Sequence, residues 1–331
     1  MSPPTFKSVR RSQHTLATTC QVRGRGYWSG KPVCVSMHPA AADHGIVLVR
    51  TDLPGRPECP ADIRHTSEAS LRTIVHRGDA RFEMVEHLIS ALAGVGIDNC
   101  RVEIDAEELP GLDGSALAYV EALSSAGLIL QARPKRRVVI RQSYRVGNDR
   151  AFVMVAPPKS DESYYEFQLS FDDTPSIPPQ AYGVELNEER YIREVCSART
   201  FVTLEQAESI RASGVANHVR NEDLLVIGDD GPIDNRYRYI NECARHKTLD
   251  MIGDLALAGV EIVGRVTSFR GGHVLNGRMA RRIAELARSE TVFESNRSVD
   301  DDIDASAVSV LNPAASVSYS RPTSIQQRRA A

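Results

Sequence analysis

The chain lacks most features that mark a specialised class of protein. Its six cysteines (Cys20, Cys34, Cys59, Cys100, Cys196, Cys243) are scattered and include no CxxC pair. That argues against both a disulfide framework and a cysteine-type zinc site. The longest apolar run, Leu88 to Ile97, contains Ser90 and two glycines and is too short to span a bilayer. No apolar stretch follows the basic residues of the N-terminal MSPPTFKSVRRS, so no secretory signal is expected. Charge of one sign is missing too. Forty Lys+Arg against 43 Asp+Glu leave −3, which removes a global electrostatic case for nucleic acid or an anionic membrane. There is no P-loop, GxSxG or HExxH, and Gly24 to Gly30 lacks the dinucleotide-binding spacing.

What remains is an ordinary soluble composition, 42% hydrophobic and 25% charged, over 331 residues. A single core stops growing below that length, so two domains are expected in a cytoplasmic, globular protein.

Two segments resemble one another. Ser90-Ala-Leu-Ala-Gly-Val-Gly-Ile97 leads into the alternating Arg101-Val-Glu-Ile104, and Leu255-Ala-Leu-Ala-Gly-Val-Glu-Ile262 leads into Val263-Gly-Arg-Val266. Each reads as a helix stopped by a glycine (Gly94, Gly259) and followed by a strand. A repeat at domain length suggests a duplicated unit, although so short a match also arises by chance. The polar stretch Gln131 to Arg137, with Pro134, reads as a solvated linker between the copies. Helices are predicted at 82–93, 116–124, 204–212, 243–258 and 277–287. Strands are predicted at 46–49, 138–140, 151–155, 165–169 and 224–227. Strands gather ahead of helices in each half, which favours α+β over an alternating parallel design. From Asn296 onward Ser, Asp, Ala and Pro dominate, and the tail is expected to be disordered.

Three places carry candidate chemistry. His246 and Asp250 stand four apart in a helical stretch, on one face, where two side chains can hold one metal ion. Glu86-His87 opens an apolar helix, and a carboxylate beside a metal-binding histidine can take a proton from water. His273 follows Gly271 and Gly272 in what reads as a turn, where the backbone can approach a ligand. By spacing alone each has a plain alternative: a surface hydrogen bond, a favourable charge at a helix start, an exposed loop histidine.

Around these residues stand, in order, the blocks Val85-Glu-His-Leu88, Ala91-Leu-Ala-Gly-Val-Gly-Ile-Asp-Asn99, Leu112-Asp-Gly-Ser-Ala116, Ala198-Arg-Thr-Phe201, Arg245-His-Lys-Thr-Leu-Asp-Met-Ile-Gly-Asp254 and Gly272-His-Val-Leu-Asn276. Together they make the chain similar to the UDP-3-O-acyl-N-acetylglucosamine deacetylases, zinc hydrolases of lipid A biosynthesis. The resemblance implies Zn²⁺ held by His87, His246 and Asp250, with Glu86 as general base and His273 as the acid that protonates the leaving amine. It implies that Asp254 orients His273, that Thr200 helps hold the oxyanion, that Lys247 meets the nucleotide phosphate, and that Phe201 packs near the sugar. The implied fold is two similar α+β domains with the site between them, here 10–132 and 137–295. An insert near 201–219 would form a passage for the acyl chain. The implied partner is a small-molecule substrate; a monomer is expected, and charge and apolar-run length already argue against nucleic acid and an integral membrane segment.

Three stretches depart from the family pattern, all on the substrate side. Gly26-Tyr-Trp-Ser-Gly30 has Trp28 where the family has histidine, and Asn217-His-Val-Arg-Asn-Glu-Asp223 and Phe171-Asp-Asp-Thr-Pro175 also differ. The remaining alternatives are the same reaction on another sugar nucleotide, suggested by Trp28, and a non-catalytic relative that keeps the fold.

Overall fold

A computed structural model describes residues 11–294 apart from 70, 172, 173 and 175. The tail expected to be disordered lies outside the described residues, as do Asp172, Asp173 and Pro175 of the third departure. The first half begins with β1 (Ser12–Leu16), β2 (Cys20–Arg25), β3 (Pro32–Pro39), β4 (Ile46–Arg50) and β5 (Glu58–Pro60). It continues with β6 (Thr66–Ser67), β7 (Ile74–Arg77), β8 (Ala80–Glu83), α1 (Glu86–Gly94), β9 (Cys100–Ile104), α2 (Leu117–Ala126) and β10 (Leu128–Pro134). The second half opens with β11 (Arg137–Val139), β12 (Tyr144–Gly147), β13 (Phe152–Ala156), β14 (Tyr164–Leu169), β15 (Gln180–Glu185) and α3 (Glu188–Arg190). Then come β16 (Phe201–Thr203), α4 (Leu204–Ala212), β17 (Leu225–Gly228) and β18 (Gly231–Pro232). It closes with α5 (Glu242–Ala256), β19 (Glu261–Val263), β20 (Arg265–Phe269) and α6 (His273–Glu294). The architecture is α+β, as the sequence pattern predicts.

The two five-stranded sheets share one topology. Their orders are β2-β3-β9-β4-β5 and β12-β13-β20-β14-β15. In each, the strand latest in sequence enters the middle of the sheet. There it runs antiparallel to one neighbour and parallel to the other. The repeated segments fall at the helix ends just ahead of β9 and β20, so the short sequence match marks equivalent places in two similarly wound units. Alternation explains the strands: in β9, Cys100, Val102 and Ile104 are buried while Arg101 and Glu103 are half-buried.

Several boundaries differ from the sequence expectation. The helix expected from Phe82 starts only at Glu86, because Ala80 and Phe82 point inward in β8. Met84, in the left-handed region at φ 60°, then turns the chain into α1. Gly94 is helical and packs its bare Cα against the ring of Tyr191, and the left-handed residue after that helix is Gly96. Gly259 is left-handed as expected. Gln131 to Pro134 is not linker but part of β10, paired with β1. Only Lys135 and Arg136 separate β10 from β11. Helix α6 starts at His273, ahead of the expected Gly277, so this histidine opens a helix and does not sit in a loop.

Helix α2 packs on β2, α5 on β14 and β15, and α6 on β12 and β13, while α1 and α5 pack against each other where the halves meet. Two small residues allow that contact. Ser90 donates its hydroxyl to the Leu249 carbonyl (2.8 Å), and Gly253 lies directly against the carbonyl of Glu86. One contiguous apolar core runs through both halves. A satellite cluster of Ala207, Val219, Leu224 and Val226, with Tyr27 packed on it, lies under the three-stranded sheet β16-β17-β18. Among the described residues no helix is long and apolar enough to cross a membrane.

Candidate active site

The α1–α5 contact brings the predicted metal ligands together. His87 is in the first turn of α1, and His246 and Asp250 lie one turn apart on α5. One donor atom from each falls within 4.8 Å of the others. Nε2 of His246 and of His87 are 3.3 and 3.6 Å from Asp250 Oδ1. All three residues are at most 4% exposed. The second oxygen of Asp250 accepts from Lys247 Nζ (2.6 Å), yet Oδ1 is buried with no hydrogen bond. An ionised oxygen left bare in the interior is costly unless a cation completes it, so this donor set fits a divalent metal ion with His/His/Asp ligation. The imidazole of His246 is prepared for that role. Its Nδ1–H donates to the Ala198 carbonyl (3.1 Å), which leaves the Nε2 lone pair facing Asp250. Burial also holds this ring neutral, lowering its pKa to about 3. Asp250 stays ionised and Lys247 stays charged despite their burial, each held by the opposite charge of the other.

The two proton-transfer candidates flank the triad. Glu86 is buried beside His87, and desolvation raises its pKa above the usual carboxylate value. His273 donates from Nδ1 to Asp254 Oδ2 (2.9 Å), and its Nε2 lies 3.9 Å from Asp250 Oδ2. Burial disfavours its proton, but the Asp254 carboxylate outweighs that and pushes it up to about 9. Asn276 also donates to Asp254 Oδ2 (2.9 Å).

Thr200 and Phe201 come from the segment entering β16. A buried ion pair between Arg199 and Glu242, at the start of α5, fixes this segment (2.8 Å). Thr200 N–H donates to the Gly114 carbonyl (2.7 Å), tying the segment to the Leu112–Ala116 loop. The Phe201 ring stands edge-on 6.4 Å from that of His246. Glu86, His87, Thr200, Phe201, His246, Lys247, Asp250 and His273 thus line one cavity of about 210 Å³, continued by apolar side chains including Val202, Ala207, Ile210 and Val226. Asp254 stands behind His273, out of that cavity. A larger cavity, about 970 Å³, lies at the C-terminal ends of α1 and α5 and contains none of these residues.

Two of the stretches that the sequence reading sets apart, 26–30 and 217–223, are in contact with each other. His218 donates from Nε2 to the Gly26 carbonyl (2.8 Å) and lies over Gly30, while Tyr27 donates to the Asp223 carbonyl (2.7 Å). Glu108 holds the same loop through the N–H groups of Trp28 and Ser29 (2.8 Å each), and the Arg72 guanidinium stands 4.9 Å over the Trp28 ring. Tyr27 and Trp28 both line the cavity. Sequence reading also missed Thr73, whose hydroxyl donates to Asp254 Oδ1 (2.5 Å) and whose N–H donates to Glu86 Oε2 (2.9 Å). No spacing signal marks a lone threonine ahead of a strand.

The sequence profile of the UDP-3-O-acyl N-acetylglycosamine deacetylase family matches residues 13–285. Relatives named UDP-3-O-acyl-N-acetylglucosamine deacetylase occur in several bacteria. That of Syntrophus aciditrophicus is 36% identical over 285 residues, 84% of this chain and 88% of its own length. That of Trichormus variabilis is 38% identical over 280 residues, covering 83% and 99%. That of Helicobacter hepaticus is 33% identical over 298 residues, covering 89% and 96%. With the profile spanning most of the chain and relatives above 30% identity over nearly their whole length, the chain belongs to the UDP-3-O-acyl N-acetylglycosamine deacetylase family.

Proposed function

We propose that this protein hydrolyses the N-acetyl group of UDP-3-O-acyl-N-acetylglucosamine, releasing acetate in lipid A biosynthesis, with Zn²⁺ held by His87, His246 and Asp250. The observation that carries the reading is the bare, buried Asp250 Oδ1 facing two imidazoles, with Glu86 and His273 on the same cavity. A divalent ion bound there supplies Lewis acidity, which acidifies water and polarises a carbonyl oxygen. Glu86 accepts the proton of the attacking water as its oxygen bonds to the acetamide carbon. The Thr200 hydroxyl donates to the oxyanion that develops. Protonated His273 gives its Nε2 proton to the amine nitrogen as the C–N bond breaks, while Asp254 holds the ring through Nδ1. Lys247, charged and on the cavity wall, meets a phosphate with the N–H groups not spent on Asp250, and Phe201 packs against the sugar. The apolar continuation past Ala207 and Ile210 takes the acyl chain.

In this reading the protein is a cytoplasmic monomer acting on a small molecule. The halves before and after Lys135-Arg136 are two copies of one domain, supported by their shared strand order. The test is acetate release by purified protein from UDP-3-O-acyl-N-acetylglucosamine and from unacylated UDP-N-acetylglucosamine, before and after chelation and after zinc is returned. The acylated substrate should react far faster, and only with metal. Equal rates on both would assign a plain sugar-nucleotide deacetylase, and no release from either would reject the reading.

A further inference from the structure

We propose that Thr73 is a positioning residue for both proton-transfer groups of the site, one that sets the tautomer of His273 with its hydroxyl and holds Glu86 with its backbone. The inference rests on the deacetylase reading for the roles of Glu86 and His273, but its geometry stands on its own. Thr73 is buried just ahead of β7, and all its polar groups are engaged. Its N–H donates to Glu86 Oε2 (2.9 Å), and its carbonyl accepts from Val85 N–H (3.4 Å) at the entry to α1. Its hydroxyl lies 2.5 Å from Asp254 Oδ1 and 3.2 Å from His273 Nδ1. One residue of the first half therefore touches the base beside it and the acid pair of the second half.

A hydroxyl has one proton to give, and an ionised carboxylate can only accept. The short contact to Asp254 therefore takes the Thr73 proton, and toward His273 the threonine oxygen is an acceptor. Both neighbours of Nδ1, Thr73 Oγ1 and Asp254 Oδ2, are then acceptors, so Nδ1 carries a proton in every charge state of the ring. Nε2, on the Asp250 side, is the nitrogen that neither Thr73 nor Asp254 touches. Asn276 occupies Asp254 Oδ2 together with His273, so Thr73 supplies the one hydrogen bond that reaches Oδ1 from a side chain, among the described residues. Without it only Oδ2, shared by Asn276 and His273, anchors the carboxylate, and its hold on Nδ1 loosens.

The two arms separate by mutation. The hold on Glu86 is a backbone bond and survives side-chain replacement, whereas the hold on Asp254 needs the hydroxyl. Thr73→Val keeps the shape and removes only the second arm. Substitution of a group that orients a catalytic side chain from behind typically costs about 10–100-fold, and here the loss should fall on kcat with KM unchanged. Thr73→Ser should restore near wild-type turnover. Independently of activity, ¹⁵N spectra of the metal-free protein, with His273 assigned by difference against His273→Gln, should show the neutral ring protonated at Nδ1, and a tautomer mixture in Thr73→Val. Wild-type turnover by Thr73→Val, equal losses in the Ser and Val variants, or Nε2 protonation of the neutral wild-type ring would each overturn the proposal. Should Thr73→Val not fold, the wild-type ring spectrum and the Thr73→Ser rate decide it. If the wild-type protein releases no acetate, the deacetylase reading fails instead, and the spectra still test the role of Thr73.

Discussion

Gly253 of α5 lies so close to the carbonyl of Glu86 on α1 that a methyl group in its place would overlap that oxygen. This contact sets the distance between the helix carrying His87 and the helix carrying His246 and Asp250. An exposed helical glycine changed to alanine gains up to about 1 kcal/mol of helix propensity. Here the sign should reverse, because forcing a methyl into a packed contact costs about 1–3 kcal/mol. Gly253→Ala should lower the melting temperature and weaken metal binding together. A variant as stable as wild type with full metal content would show that the helices are not held by this contact.

The metal site makes a second prediction. His246→Ala removes one of the three proposed ligands and leaves Asp250 Oδ1 still bare, so metal content and activity should fall together. Elemental analysis settles it, and full zinc occupancy in this variant would reject the ligand set.

Glu86 should behave differently. It adjoins His87 but is not one of the three converging donors. Glu86→Gln keeps size and burial, so zinc should stay while turnover falls about 10²–10⁴-fold, the usual share of a general base. Loss of zinc on this substitution would move Glu86 into the ligand set.

The contrast between these residues shows what a sequence can reveal. The i,i+4 pair His246/Asp250 is written along one helix face, and the bounds expected for α4 match the structure, where Thr203 and Gln206 form a reciprocal cap at its start. The start of α1 was not, because one left-handed residue, Met84, ends β8 and turns the chain immediately into the helix. Gln131 to Pro134 reads as linker because it is polar, and is strand because β1 lies beside it. Thr73 and Gly253 act only through partners far along the chain, and no local pattern encodes such a contact.

His218 offers a fourth test. Its bond to the Gly26 carbonyl joins the segment between α4 and β17 to the loop bearing Tyr27 and Trp28, which line the cavity. Residues 26–30 and 217–223 thus form one clasp. Removing a hydrogen bond of this kind costs about 0.5–1.5 kcal/mol, so His218→Ala should raise KM for the acylated substrate about 3–10-fold. The slower reaction of the unacylated substrate should not change. If both substrates are affected alike, the clasp supports the fold and not the acyl site.

The pH profile follows from the opposite demands on Glu86 and His273. Glu86 must be ionised to accept a proton, and burial raises its pKa, so activity should climb with pH through a value above the ordinary carboxylate range. His273 must be protonated to donate. Its burial works against that, but Asp254 raises it to about 9, so activity should fall once the pH passes this group. A bound cation repels the same proton, which places the basic limb of the metal-loaded enzyme at or below about 9. The profile is then a bell bounded by two buried groups of the same cavity. Asp254→Asn removes the charge that sustains the imidazolium while leaving the three metal donors in place. The basic limb should therefore move toward lower pH and the maximal rate should drop, with zinc retained. Glu86→Gln should erase the acidic limb and leave the basic one. A basic limb unmoved in Asp254→Asn would mean that some other group holds the proton on His273, or that His273 is not the acid.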